Sequence, residues 1–198
     1  MECLPTTKLG NLAKNDAITL VVVSRIYLIG MPGCGKSSHG KKLAKQLQWD
    51  WIDLDSLIEA NTGTTITQIF ETKGEKAFRE IEQETLFKCN PIAPTVIACG
   101  GGTPSYENNM DFINKNGLSI YLYANEHFLW HRLSAKNTIR PLFKGLSEED
   151  CRIKIAKLLS ERKCFYERAH LQLKLPFTTS KTLLNSILSH IKPQIMPI

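Results

Sequence analysis

No stretch of this chain approaches the roughly 18 to 20 consecutive apolar residues that a membrane-spanning helix needs, so no membrane partner is expected. The six cysteines, Cys3, Cys34, Cys89, Cys99, Cys151 and Cys164, form no C-x-x-C pair and have no histidine at zinc-ligand spacing. They read as reduced thiols in a cytoplasm. Internal repeats and low-complexity tracts are missing, which argues against solenoids and long disorder. So is any basic stripe with interleaved aromatics, and no nucleic-acid partner is expected. The formal charge of +6 suits an anionic ligand but is spread along the chain and not gathered into one run.

A length of 198 residues with 42% apolar content supports one core of ordinary size and not two. Residues 25–198 are therefore read as a single domain and a monomer is expected. Residues 1–24 are read as an N-terminal extension without a secretory leader: Glu2 and Asp16 are acidic, the apolar run Ile18–Val23 is short, and no small-residue cleavage site is evident. An extra strand, a loose arm and an over-extended translation start all remain open for it.

Short apolar runs at Ile26–Ile29, Trp51–Leu54, Val96–Cys99, Ser119–Tyr123 and Leu171–Leu175 look like strands separated by longer helical segments. That alternation predicts an α/β fold, a five-stranded parallel sheet with helices on both faces. Ile66, Ile69 and Phe70 give one helical face, and Phe78, Ile81 and Leu86 give another, with Gly74 as the break between them. Glu126–Ala135 and Glu148–Arg168 also read as helices, and Leu183–Ile191 as a closing one that Ser180 could cap. Residues 136–147 hold Pro141 and Gly145 without a clean period and are expected to form a mobile lid.

The strongest chemical signal is Gly30-Met31-Pro32-Gly33-Cys34-Gly35-Lys36-Ser37, a full G-x-x-x-x-G-K-[ST] placed after one apolar run and before a helical one. Such a loop curls consecutive backbone N–H groups around phosphates, and the following helix adds its dipole. Gly30, Gly33, Cys34, Gly35, Lys36, Ser37 and Ser38 are thus candidate ATP contacts, with Lys36 directed at the β- and γ-phosphates and the Ser37 hydroxyl at Mg²⁺. Cys34 inside the loop is read as a small tolerated side chain.

A P-loop leaves the phosphoryl acceptor open. Asp53 could hold a water of the Mg²⁺ shell, and Asp55 could orient an acceptor hydroxyl and assist its deprotonation. Equally, Asp55 could simply cap the helix that follows. Arg79 and Glu82, three apart on a helix, share a face: either a solvated ion pair, or a carboxylate fixing a guanidinium fork for a substrate carboxylate. Gly100-Gly101-Gly102 puts bare backbone at the end of a strand, where ligands of parallel sheets bind, although a flexible turn would use the same residues. His39, Trp49, Trp51 and Trp130 are read as scaffold.

Taken together, the P-loop, Asp53-Leu54-Asp55 with Ile58-Glu59, Gly74-Glu75 with Phe78-Arg79 and Glu82, and Gly100–Gly102 resemble the shikimate kinase family. Arg140-Pro141-Leu142 and Arg162 with Tyr166 extend the match, which runs from about Ile26 to beyond Leu171. The resemblance implies a nucleoside-monophosphate-kinase-like fold and phosphorylation of the shikimate 3-hydroxyl by Mg²⁺ and ATP, in aromatic amino-acid biosynthesis. It also implies that Asp55, Arg79, Gly100, Gly101, Gly102 and Arg162 hold shikimate, that Arg140 in the lid meets both substrates, and that Arg132 stacks on adenine. The catalytic set on this reading is Lys36, Asp55 and Arg140, with Ser37 and Asp53 at the metal. The rival readings are another small-metabolite P-loop kinase, gluconate-kinase-like, and a nucleotide-sensing protein that has lost catalysis.

Overall fold

The protein's structure, a computed structural model, describes residues 24–134, 143, 146–175 and 185. The expected closing helix and its cap Ser180, residues 1–23, and most of the expected lid, including Arg140 and Pro141, lie outside the described residues.

Five strands, β1 (Arg25–Ile29), β2 (Asp50–Asp53), β3 (Thr95–Ala98), β4 (Leu118–Tyr123) and β5 (Leu171–Lys174), form one sheet in the order β2-β3-β1-β4-β5. Every pairing is parallel, with Ile26 opposite Val96 on one side and Leu118 on the other. The three inner strands are almost continuously buried, as a sheet covered on both faces requires, while the edge strands β2 and β5 are only partly so.

Between the strands run α1 (Lys36–Leu47), α2 (Leu54–Thr62), α3 (Ile66–Lys88), α4 (Asn109–Asn116), α5 (Glu126–Ser134) and α6 (Glu148–Tyr166). Their ends follow local chemistry. Thr65 and Gln68 form a capping box at the start of α3, and Ser147 accepts from the Asp150 N–H before the acidic first turn of α6. Gly74 breaks α3 with φ 81° and ψ 174°, so the two apolar faces read from the sequence belong to two helical halves joined at a kink. The second expected strand ends one residue early: Leu54 is already the first residue of α2, and its apolar side chain is buried from a helix.

The chain order sets the position of the site. From β1 the connection runs toward β2, at one edge, whereas from β3 it runs toward β4, on the opposite side. The carboxyl ends of the neighbouring strands β1 and β3 therefore flank the crevice where such sheets bind ligands. The P-loop leaves β1 at this point, and the glycine triplet leaves β3.

Candidate active site

Gly35 ends the loop in the left-handed region at φ 95°, and α1 begins at Lys36 with no side-chain cap and no acidic residue in its first turn. Its first N–H groups and dipole are therefore arranged for an anion. Lys36 is buried, and its Nζ donates to the carbonyls of Gly30 at 2.8 Å and Met31 at 3.1 Å. Cys34 is buried below it, with Sγ 3.9 Å from that Nζ. Ser38 is exposed on the first turn of α1.

Beside the loop, Ser37 Oγ donates to Asp53 Oδ2 at 2.6 Å. The other oxygen, Oδ1, accepts from the Asp55 N–H at 3.2 Å and caps α2. The cap is thus Asp53, and Asp55 lies one residue inside the helix, in its first turn. Arg132 sits on α5 with its guanidinium carbon 5.6 Å from the Phe128 ring centroid. Its Nη2 would lie 3.6 Å from a methyl group placed on Gly35, so it borders the P-loop.

On the β3 side, buried Arg79 donates from Nη1 to Glu82 Oε2 at 2.6 Å and from Nη2 to Glu75 Oε1 at 3.1 Å. Glu82 is fully buried and its second oxygen accepts from Thr103 Oγ1 at 2.5 Å. Burial pushes the Glu82 carboxyl upward and the Asp55 charge adds to this, while Arg79 and Thr103 pull it down. For Arg79, burial alone would lower the pKa, but the charge and hydrogen bonds of Glu82 and Glu75 raise it above its ordinary value. The guanidinium stays charged, with a direction fixed by two carboxylates.

Each glycine of the triplet has its own reason. A methyl group on Gly100 would collide with Glu82 Oε1 and stand 2.9 Å from Thr103 Oγ1. One on Gly101 would lie 2.5 Å from Pro32 Cδ of the P-loop, and one on Gly102 would lie 2.5 Å from Arg79 Cζ. Facing Arg79 and Gly102 across a cavity of about 480 Å³ is Arg162 of α6. It is buried, and its Nη1 is without a hydrogen-bond partner among the described residues. Two cationic forks converging on bare backbone, one with an unsatisfied buried donor, suit a small carboxylate-bearing ligand.

A family model described as shikimate kinase matches residues 32–192. The chain belongs to the shikimate kinase family. The shikimate kinase of Parabacteroides distasonis is 37% identical over 176 residues, 89% of this chain and 99% of that protein. That of Bacillus anthracis is 37% identical over 170 residues, covering 86% and 97%. In three dimensions the chain is similar to the shikimate kinase of Bacteroides thetaiotaomicron, with a TM-score of 0.80 at 30% identity, covering 85% of this chain and 98% of that one. It is also similar to that of Acinetobacter baumannii in complex with shikimate, with a TM-score of 0.78 at 32% identity, covering 87% and 95%.

Within this shikimate kinase framework three residues have roles that the sequence reading did not assign: Thr103, which it did not name, and Glu75 and Tyr166, which it named only as part of the family resemblance. Thr103 holds the far side of Glu82 and is itself fixed by Asn109 Nδ2, which donates to its carbonyl at 2.9 Å. Glu75 is the second partner of Arg79, a relation its i,i+4 spacing could have suggested. Tyr166 is fully buried, donates its hydroxyl to the Gly101 carbonyl and lies 3.6 Å from Met31 Sδ, so it joins the P-loop to the triplet.

Proposed function

We propose that this chain transfers the γ-phosphoryl group of ATP to the 3-hydroxyl of shikimate, giving shikimate 3-phosphate and ADP on the route to chorismate and the aromatic amino acids. The observation that carries the reading is the pair Arg79 and Arg162, one held by two carboxylates and the other with a buried free donor, beside a P-loop. A carboxylate bound there is gripped by planar forks that a nucleoside pocket has no need of. A cytoplasmic monomer is the form we assign to it.

In the transfer, a shikimate oxygen forms a bond to the γ-phosphorus while the bond from that phosphorus to the β–γ bridging oxygen breaks, its electron pair remaining on ADP. Asp55 accepts a hydrogen bond from the attacking hydroxyl and aligns it, and the proton leaves along that bond. Lys36 exchanges loop carbonyls for β- and γ-phosphate oxygens, and the α1 N-terminus adds N–H donors. Arg79 and Arg162 fix the carboxylate end, so the 3-hydroxyl is presented in one orientation. Arg132 borders the adenine side, and Arg140, outside the described residues, is assigned to the transferring phosphoryl group. The role of Gly100–Gly102 is to let substrate and Arg79 share a space that any side chain would fill.

The donors beside the P-loop fit a magnesium ion: Ser37 Oγ and Asp53 Oδ2 are hard oxygens already drawn together, and phosphate oxygens and water complete such a shell. When bound, the ion would offset the negative charge of the phosphates. Ser37 would be the direct ligand and Asp53 would hold a coordinated water.

The test is ADP release from ATP and Mg²⁺ with shikimate, with gluconate and with no acceptor, repeated on Arg79→Ala and Asp55→Asn. Shikimate-dependent release that collapses in both variants supports the assignment. ATP binding without shikimate dependence overturns it and favours another acceptor or a nucleotide-sensing role.

A further inference from the structure

Away from the cleft, the outer face of α5 carries two exposed histidines one turn apart, His127 and His131. Their Nε2 atoms are 3.1 Å apart, and the rings meet edge to face with centroids 4.3 Å apart at 74°. Zinc–imidazole bonds of about 2.0–2.1 Å at ligand angles of about 90–109° place two nitrogens roughly 2.9–3.4 Å apart. The observed separation falls inside that bite. Two histidines at i and i+4 on one helical face are also the spacing that lets a helix chelate a metal with both rings. Both Nε2 lone pairs can serve one ion, because among the described residues each imidazole has a hydrogen bond only to the other.

From this geometry we propose that His127 and His131 form a binding site for a late first-row divalent ion such as Zn²⁺ or Ni²⁺. Imidazole favours these ions over Mg²⁺, which prefers hard oxygens, so the site is chemically separate from the one beside Ser37. Water fills the remaining positions, and the chelate needs both rings neutral. The inference does not depend on which acceptor the kinase uses. It has a structural consequence, since α5 also carries Arg132, near Gly35, and Leu133, whose Cγ would lie 3.0 Å from a methyl group on Gly33. An ion on His127 and His131 staples two turns of the helix that backs the P-loop.

Isothermal titration of the untagged full chain with NiCl₂ in the presence of Mg²⁺, in a Cys164→Ser background because Cys164 is an exposed thiol, reads the site directly. One ion per chain is expected, with affinity lowered at least about tenfold by His127→Ala and equally by His131→Ala, the order of effect of losing one of two ligands. A rise in thermal midpoint with Ni²⁺ should vanish in both variants, whose circular dichroism stays that of the parent because both side chains are exposed. Absence of saturable binding, or binding unchanged in both variants, overturns the proposal.

Discussion

Gly102→Ala is the substitution that separates a structural from a functional reading of the glycine triplet. Gly102 has φ −99° and ψ −11°, a backbone that alanine adopts without strain. Whatever the methyl group costs must therefore come from what it meets, which is Arg79: Cζ at 2.5 Å, Nη1 at 2.6 Å and Nη2 closer still. Ordinary contact needs about 3.5 Å, so the guanidinium has to retreat by about an ångström. It cannot do so and keep both Glu82 at 2.6 Å and Glu75 at 3.1 Å. A hydrogen bond to a charged group contributes about 1.5–3 kcal/mol, which converts to a loss of about 10- to 150-fold in kcat/KM for shikimate. The loss should appear mainly in the shikimate KM, with the ATP KM within about twofold, because a methyl group on Gly102 meets Arg79 first, whereas Pro32 of the P-loop packs at Gly101. Steady-state kinetics with each substrate varied in turn measures this. Kinetics equal to the parent, or an equal rise in both KM values, would refute the assignment of Arg79 to the acceptor.

Asp53→Asn keeps a good helix cap on α2 but removes the charge beside Ser37, so half-saturating Mg²⁺ should rise about 10- to 100-fold while the thermal midpoint stays near that of the parent. Tyr166→Phe leaves the buried Gly101 carbonyl without its donor and should cost about 1–3 kcal/mol in urea unfolding, with shikimate KM raised more than ATP KM. His39 is held below its ordinary pKa of 6.5 by burial first, then by Arg132 and Lys42. Its folded state resists protonation, so a penalty absent well above pH 6.5 grows as pH falls below about 6.5 and is complete once pH is below the lower folded value, and His39→Gln should flatten that loss in thermal midpoints measured without ligand.

The inner strands were legible because β1, β3 and β4 are short unbroken apolar runs, a pattern that burial on both faces imposes. The P-loop was legible because its residues act through backbone conformation that only that local pattern provides. Leu54 misled the reading of β2, since an apolar side chain is equally at home at a strand end or a first helical turn. The alternative that Asp55 caps α2 failed by two residues, as Asp53 fills that role. α4 went unread: Asn109, Asp111, Asn114 and Asn116 are poor helix formers, and the segment is fixed by the burial of Met110 and Ile113. Thr103 could not be found from spacing, because its bond to Glu82 joins residues 21 apart that meet only once the sheet has formed.

On the proposed assignment, the triplet makes one unit of the nucleotide and acceptor sites. Gly101 is packed against Pro32 of the P-loop, and Tyr166 ties its carbonyl to the neighbourhood of Met31 in the same loop. Burial pushes the Tyr166 phenol well above its ordinary pKa, so it remains a donor throughout the working pH range. One residue away in each direction, Gly100 and Gly102 make room for Glu82 and Arg79. Three consecutive backbone positions thus touch the carboxylate that orients an arginine, the P-loop, and the arginine itself. A displacement of the P-loop must move Gly101, and Gly101 cannot move without its neighbours. Phosphoryl transfer depends on the acceptor oxygen lying in line with the γ-phosphorus, and a shared rigid strip at the switch point of the sheet fixes that distance more firmly than two independent loops would.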